Sequence, residues 1–221
     1  MFNKLNIRPI LIKYIEIPVA KCMHKCGLKP NHITGLSLLL CILSGYLVIS
    51  QHLVAAGLIF FLGSCLDLFD GTLSRLTSSS TEFGALLDSL GDRIGESVLL
   101  SAIIMLAVIN SEQITFALTN YNAVDMLTDQ TNVYLIPIGL IALVSSQLVS
   151  YVRARGESLG TSMESGLMTR AERVILVSLG LVTGYIFLAI LLMAVFSSFT
   201  LFQRIYIIST NTQTVVNSES K

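Results

Sequence analysis

Six long apolar segments dominate this chain of 221 residues and leave it few ways to fold. They run from Ile33 to Ser50, Leu53 to Leu73, Phe83 to Ile109, Tyr134 to Val152, Val174 to Thr183 and Ile186 to Ile208. A helix of about 20 apolar residues crosses the hydrocarbon core of a bilayer. Charged residues make up only 13% of the chain, against about 25% in soluble domains. The pattern predicts an all-α integral membrane protein with six transmembrane helices.

An amphipathic stretch precedes the first segment. Between residues 3 and 26, apolar side chains alternate with basic ones such as Arg8 and Lys13. This pattern predicts a helix that lies in the membrane interface with its basic side toward anionic headgroups. An ordinary cytoplasmic tail is the alternative, because the periodicity is imperfect. Gly27 and Pro30 then end the helix, so that a new one can begin.

These features divide the chain into three parts. Residues 1–30 form the juxtamembrane helix, and residues 31–208 form a six-helix transmembrane domain. Residues 209–221 are polar and predict a disordered cytoplasmic tail.

The basic residues predict the orientation in the membrane. With six spans, all 14 lysines and arginines fall on one side. They are Lys4, Arg8, Lys13, Lys21, Lys25, Lys29, Arg75, Arg93, Arg153, Arg155, Arg170, Arg173, Arg204 and Lys221. The long loop on the other side carries only acidic charges. By the positive-inside rule the basic side is cytoplasmic, which predicts a multi-pass protein of the cytoplasmic membrane with both termini in the cytoplasm. A formal net charge of zero gives no reason to expect a nucleic-acid partner.

Two groups of acidic and small residues occupy one face each of the second and third segments. They are Asp67, Asp70, Gly71 and Ser74, with Arg75 at the edge, and Gly84, Asp88, Gly91 and Asp92. The short turn "TSSST" lies between the two segments, so the helices pack antiparallel and the two faces can meet near the cytoplasmic end. The glycines allow another backbone or a ligand to approach closely.

Four carboxylates that converge in a low dielectric need cations to remain ionised. Oxygen ligands without Cys or His suit Mg²⁺, Mn²⁺ or Ca²⁺ rather than zinc. Two such ions about 4 Å apart can clamp a phosphate while an oxygen attacks it. Arg75 would offer a planar fork to a phosphate oxygen. Helix caps and boundary ion pairs are the alternative, but they explain a lone acidic pair better than four aspartates with this spacing.

The spacing D-x2-D-G-x2-S-R-x8-G-x3-D-x3-D over residues 67–92 resembles the signature of the CDP-alcohol phosphatidyltransferases. That family has alanine where Ser74 stands, which is a change from one small residue to another. The family also begins its first span with P-N-x-x-T, which matches Pro30, Asn31 and Thr34 here. An interfacial helix, six spans and cytoplasmic termini are further family features that fit.

The resemblance implies a transfer of a phosphatidyl or archaetidyl group from a CDP-linked lipid to a hydroxyl, with release of CMP. It implies that Asp67, Asp70, Asp88 and Asp92 hold two Mg²⁺ or Mn²⁺ ions and that Asp92 is also the base. The residues implied for the CDP-lipid are Asn31, Thr34, Asp67, Asp70, Gly71, Ser74, Arg75 and Gly84. Family members often form homodimers, so a homodimer is implied as well.

Four arginines surround the turn between the fourth and fifth segments: Arg153, Arg155, Arg170 and Arg173. Arginine clusters bind phosphate bidentately, although positive-inside anchoring also places arginines there. The sequences "RARGE", "RAER" and "LDSLGDR" resemble those of the family branch that uses inositol phosphate. The acceptor predicted first is therefore inositol 1-phosphate, and glycerol 3-phosphate is second. "TLFQR", residues 200–204, resembles the family's last-helix ending without selecting an acceptor.

A cation transporter is an alternative of a different class, because transporters also gather carboxylates between helices. Transport sites lie near the bilayer midplane between structural repeats. The aspartates lie instead at one end of their segments beside Arg75, and the sequence has no internal repeat. These two observations favour the enzyme.

Overall fold

The computed structural model describes residues 14, 16–25, 27, 30–77, 81–118, 126–160 and 166–219. Over these residues the chain forms α-helices and no strand, which confirms the predicted all-α class. The helices are α1 Ile17–Lys25, α2 Pro30–Ile49, α3 Leu53–Leu76, α4 Glu82–Leu118, α5 Met126–Ser158, α6 Arg170–Thr183 and α7 Ile186–Glu219. Residues 1–13, most of them in the predicted amphipathic stretch, lie outside the described residues.

Within the described ranges, five helical segments are long and apolar enough to cross a membrane, so the chain is a multi-pass membrane protein. They are Pro30–Ile49, Leu53–Leu76, Glu82–Ser111, Val133–Ser158 and Ile186–Thr210. Helix α6 has 14 residues, which corresponds to about 21 Å of helix against a hydrocarbon core of about 30 Å. The count of six spans therefore stays a prediction.

Several helices extend beyond the predicted apolar segments, because hydropathy marks the membrane and not the end of a helix. The backbone of α7 continues to Glu219, into the part predicted to be a disordered tail. No glycine or proline follows Ile186 to interrupt that helix. The division into parts at residues 30 and 208 stays a prediction.

The chain forms two compact units, residues 1–102 and 103–221. In the first unit α2 and α3 form a tight antiparallel pair. The Ser37 hydroxyl donates to the Gly63 carbonyl at 2.8 Å, and the Ser44 hydroxyl donates to the Ala56 carbonyl at 2.7 Å. Such bonds satisfy polar groups where no water is available. They fix α3, which carries the first group of aspartates.

Helix α1 packs on the C-terminal half of α3. Ala20 is fully buried and forms an apolar cluster with Ile33 and Leu73, flanked by Met23 and Leu66. Lys21 and Lys25 of α1 are exposed. The juxtamembrane helix is thus attached beside the acidic end of α3.

In the second unit α6 and α7 form a hairpin. Helix α6 begins at a capping box of Thr169 and Glu172, and it ends at Gly184, whose φ of +82° favours glycine. A Cβ atom placed on Gly180 would collide with the Cβ atom of Ala189. The two helices therefore approach each other at the closeness that only glycine permits.

We expect Gly180→Ala to destabilise the protein by about 1–3 kcal/mol, the range for overpacking a tight contact. Thermal unfolding in detergent measures the change. Adding Ala189→Gly to the same chain should restore most of the lost stability, because the added methyl group would again have room. If the single variant unfolds like the wild type, the close approach of α6 and α7 is wrong.

Candidate active site

Three of the four predicted aspartates converge. Asp67 and Asp70 lie on α3, Asp88 lies on α4, and each offers a carboxylate oxygen within 4.8 Å of the others. Asp67 is 7% exposed and Asp70 5% exposed, while Asp88 is half-buried. Buried carboxylates this close need a cation. An all-oxygen donor set fits a hard divalent ion such as Mg²⁺ or Mn²⁺.

Asp92 lies one helical turn beyond Asp88 on α4, and its Oδ1 atom is buried. Among the described residues, the three-carboxylate cluster does not include it. Residues four apart on a helix have Cβ atoms about 5–6 Å apart. Asp92 is therefore placed one turn from a member of the cluster.

The start of α2 also contacts the aspartate cluster. The Thr34 hydroxyl donates a hydrogen bond to Oδ2 of Asp70. The Thr34 methyl group lies 3.7 Å from the position of a Cβ on Gly91, and Asn31 Oδ1 lies 3.6 Å from the position of a Cβ on Gly84. The P-N-x-x-T sequence thus contacts both helices that carry the aspartates.

The next turn of α3 is open on the side of Gly71, where an added Cβ would meet nothing within 4 Å. The Ser74 hydroxyl donates to the Gly71 carbonyl at 3.1 Å, so it turns onto its own helix and occupies little more room than the family alanine. Arg75 is exposed, and its Nη2 donates to Thr72 Oγ1 at 3.0 Å. A ligand can approach the backbone here with an arginine beside it.

Two buried arginines form a second candidate site, in the second unit. Arg173 and Arg204 are each only 2% exposed. Arg204 Nη1 donates to the Val149 carbonyl at 2.8 Å, and Arg173 Nη2 donates to the Ser150 hydroxyl at 3.4 Å. Arg153 and Arg173 repel the charge on Arg204, and Glu157 attracts it. We call Arg153, Arg173 and Arg204 the arginine group.

Within the arginine group, Arg153 is exposed and its Nε pairs with the Glu157 carboxylate at 2.9 Å, while Arg173 and Arg204 are buried. Guanidinium groups that are buried and close together favour an anion, and their planar shape suits phosphate. Arg204 was absent from the sequence-predicted set. The sequence "TLFQR", which ends at Arg204, resembles the family's last-helix ending, but this resemblance does not select an acceptor.

The other two predicted arginines lie differently. Arg155 is exposed, and a separation of two residues turns it about 200° from Arg153 on α5. Arg170 is the first residue of α6, one turn before Arg173, and is half-buried.

One protein family and several individual proteins are similar to this chain over most of its length. The family model for CDP-alcohol phosphatidyltransferase matches residues 28–213. A phosphatidylinositol phosphate synthase of Corynebacterium glutamicum is 38% identical over 167 residues, which are 74% of this chain and 68% of that protein. An archaetidylinositol phosphate synthase of Pyrococcus horikoshii is 28% identical over 202 residues, 91% of this chain and 94% of that protein.

Solved structures of Mycobacterium tuberculosis phosphatidylinositol phosphate synthase have a similar fold. The structure with CDP-DAG bound has a TM-score of 0.69 at 26% identity and covers 88% of this chain and 93% of that one. The complex with manganese and citrate has a TM-score of 0.71 at 25% identity, covering 89% and 90%. The range matched by the family model includes all candidate residues of both sites.

Proposed function

Because this chain belongs to the CDP-alcohol phosphatidyltransferase family, we propose that it transfers a phosphatidyl or archaetidyl group from a CDP-linked lipid to inositol 1-phosphate. CMP is the leaving group, and the reaction is a step of phospholipid biosynthesis. The observation that carries the proposal is the convergence of Asp67, Asp70 and Asp88, whose oxygens lie within 4.8 Å of one another. Membership in a family of transferases also removes the basis for the cation-transporter alternative.

The aspartates are proposed to hold the metal. Asp67, Asp70 and Asp88 would bind Mg²⁺ or Mn²⁺ directly, and Asp92 would complete a site for two ions. When bound, such ions neutralise charge on the diphosphate and make the acceptor hydroxyl more acidic. Thr34 orients the Asp70 carboxylate through its hydrogen bond, a role that neighbours of metal ligands commonly have.

Asp92 is proposed as the general base. It accepts the proton of the acceptor hydroxyl while the acceptor oxygen forms a bond to the lipid-linked phosphorus. The bond from that phosphorus to CMP breaks at the same centre. A base must reach the proton and be ionised when it does so. The position of Asp92, buried beside the cluster, supports this assignment.

The CDP-lipid is proposed to lie along the open side of α3. Arg75 would bind a diphosphate oxygen, and Gly71 leaves room for the nucleotide because a Cβ added there would meet nothing within 4 Å. The remaining residues proposed to line this pocket are Asn31, Thr34, Asp67, Asp70, Ser74 and Gly84.

The arginine group is proposed to bind the phosphate of the acceptor, with Arg155 and Arg170 at its edge. The burial of Arg173 and Arg204 supports this role over simple membrane anchoring, which requires only exposed charge. Inositol 1-phosphate is proposed before glycerol 3-phosphate because the relatives reported above are named as inositol phosphate lipid synthases.

Both termini and both sites are proposed to face the cytoplasm, in the cytoplasmic membrane, because the basic residues favour that side. A homodimer stays a prediction from the family resemblance.

The purified protein, incubated with radiolabelled CDP-diacylglycerol and Mg²⁺ or Mn²⁺, tests the proposal directly. We expect CMP release and a phosphorylated inositol lipid with inositol 1-phosphate, and little product with glycerol 3-phosphate or unphosphorylated inositol. Preferred use of glycerol 3-phosphate would overturn the acceptor assignment. No CMP release with any acceptor, including with the archaeal ether analogue, would overturn the transfer itself.

We expect Arg204→Lys and Arg173→Lys each to raise the KM for inositol 1-phosphate by about tenfold or more, the value of one charge-assisted hydrogen bond. Lysine keeps the charge but loses the planar fork. The KM for the CDP-lipid should stay the same. An equal rise in both KM values, or a lower Tm with an unchanged KM, would show that these arginines only stabilise the fold.

A further inference from the structure

The juxtamembrane helix reaches the candidate active site through one chain of hydrogen bonds. Thr72 on α3 donates its hydroxyl hydrogen to Oε2 of Glu16 at 2.6 Å. Arg75 Nη2 donates to the same Thr72 hydroxyl at 3.0 Å. Glu16 directly precedes α1, and Thr72 is only 3% exposed. Neither Glu16 nor Thr72 occupies a fixed position of the aspartate motif.

We propose that Glu16 and Thr72 are positioning residues that orient the Arg75 guanidinium for the diphosphate of the CDP-lipid. This inference rests on the proposed function, because it assigns a task to Arg75. It adds that the juxtamembrane helix takes part in substrate binding and is more than a membrane anchor.

The direction of the bonds explains how the relay works. A hydroxyl has one hydrogen and two acceptor lone pairs. The Glu16 carboxylate can only accept, so it draws the Thr72 hydrogen toward α1 and leaves a lone pair available to Arg75. The alternative partner for that hydrogen, the Leu68 carbonyl, lies farther away at 3.5 Å. The carboxylate thus fixes Thr72 as an acceptor for Arg75.

The relay also leaves Arg75 able to bind a ligand. A guanidinium has five N–H donors in a fixed fork, and the bond to Thr72 uses one of them. Long side chains lose rotamer freedom when they bind. An arginine that is already held in place loses less of it, so binding is tighter.

The packing of α1 holds the carboxylate in place. Ala20 is fully buried against Ile33 and Leu73, one turn along α1 from Glu16. Leu73 directly follows Thr72 on α3. The apolar contact and the hydrogen bond therefore fix the same two helices at neighbouring positions, which makes Glu16 a stable partner for Thr72.

Equilibrium binding of CDP-diacylglycerol to the full-length protein in detergent with Mg²⁺, without any acceptor, tests the relay. We expect Arg75→Ala to weaken binding by about tenfold or more. Thr72→Val, which keeps the shape but removes the hydroxyl, should weaken it by about five- to tenfold, and Glu16→Ala by about threefold. Thr72→Ser should restore binding close to that of the wild type.

The deciding measurement combines the variants. In a chain that carries Arg75→Ala, adding Thr72→Val or Glu16→Ala should change binding no further, because no arginine remains to be positioned. Thr183→Val is a matched control, since the Thr183 hydroxyl donates to the Leu179 carbonyl at 2.6 Å on a different helix. It should bind like the wild type.

The outcomes separate the relay from the proposed function. If Arg75→Ala binds normally, both the role of Arg75 and the relay are wrong. If Arg75→Ala binds weakly but Thr72→Val and Glu16→Ala bind normally, only the relay is wrong. Losses that add fully to that of Arg75→Ala would show that Glu16 and Thr72 merely hold α1 on α3. If Thr72→Val does not fold, Glu16→Ala, alone and combined with Arg75→Ala, carries the same comparison.

Discussion

Replacing Asp92 with asparagine is expected to lower the rate of transfer by about 10²–10⁴-fold, the usual contribution of a general base. Asparagine has the same shape but cannot accept the proton of the acceptor hydroxyl at neutral pH. CDP-diacylglycerol binding should be partly retained, because Asp92 lies outside the cluster of Asp67, Asp70 and Asp88. CMP release and equilibrium binding, measured on the same preparation, separate the two effects.

Glu96→Gln is the matched control for this variant. Glu96 lies one turn farther along α4, is 7% exposed and undergoes the same change from acid to amide. We expect it to retain activity within about tenfold, since each tenfold change corresponds to only about 1.4 kcal/mol. Near-normal turnover by Asp92→Asn would remove Asp92 as the base. A parallel loss of binding and rate would leave Asp92 with the metal-binding role alone.

The site on α3 and α4 could be predicted well because helical periodicity alone aligns its residues. A turn of about 100° per residue places Asp67 and Asp70 on one face, and the structure confirms that Asp88 joins them. Which carboxylate of α4 converges with those of α3 could not be predicted. The rotation of α4 depends on its close packing against α2, where a Cβ placed on Gly95 would lie 3.0 Å from the Cys41 sulfur, and periodicity contains no information on such packing.

Long-range packing also explains why Arg204 was missed. Arg204 is held by the Val149 carbonyl, 55 residues earlier, so no local pattern reveals its burial. The start of α6, by contrast, was available in the sequence. Thr169 and Glu172 form a capping box, a signal in which Thr precedes Glu by three residues, whereas hydropathy placed the start at Val174.

Replacing Asp70 with asparagine should abolish metal-dependent transfer, with a loss of about 10³-fold or more, because a ligand charge that supports several kcal/mol of transition-state stabilisation is removed. Asp70 is the cluster member for which the effect is clearest. It is 5% exposed, and Thr34 already donates a hydrogen bond to its Oδ2 atom. An amide there keeps the volume but loses the negative charge that a divalent ion requires.

Direct Mn²⁺ binding, followed by electron paramagnetic resonance, measures the metal site without relying on activity. We expect the wild type to bind Mn²⁺ and Asp70→Asn to bind it much more weakly, with no recovery of turnover when Mg²⁺ or Mn²⁺ is raised. Glu82→Gln is the matched control: Glu82 is an exposed acid at the start of α4, so the variant removes the same charge outside the cluster. It should bind Mn²⁺ normally, since the three converging oxygens belong to Asp67, Asp70 and Asp88.

Equal weakening by both variants would mean that general negative charge attracts the ion. Unchanged binding by Asp70→Asn would place the metal elsewhere. Because Thr34 and Asp70 join α2 to α3, a Tm close to that of the wild type is needed to assign the loss to the ligand itself.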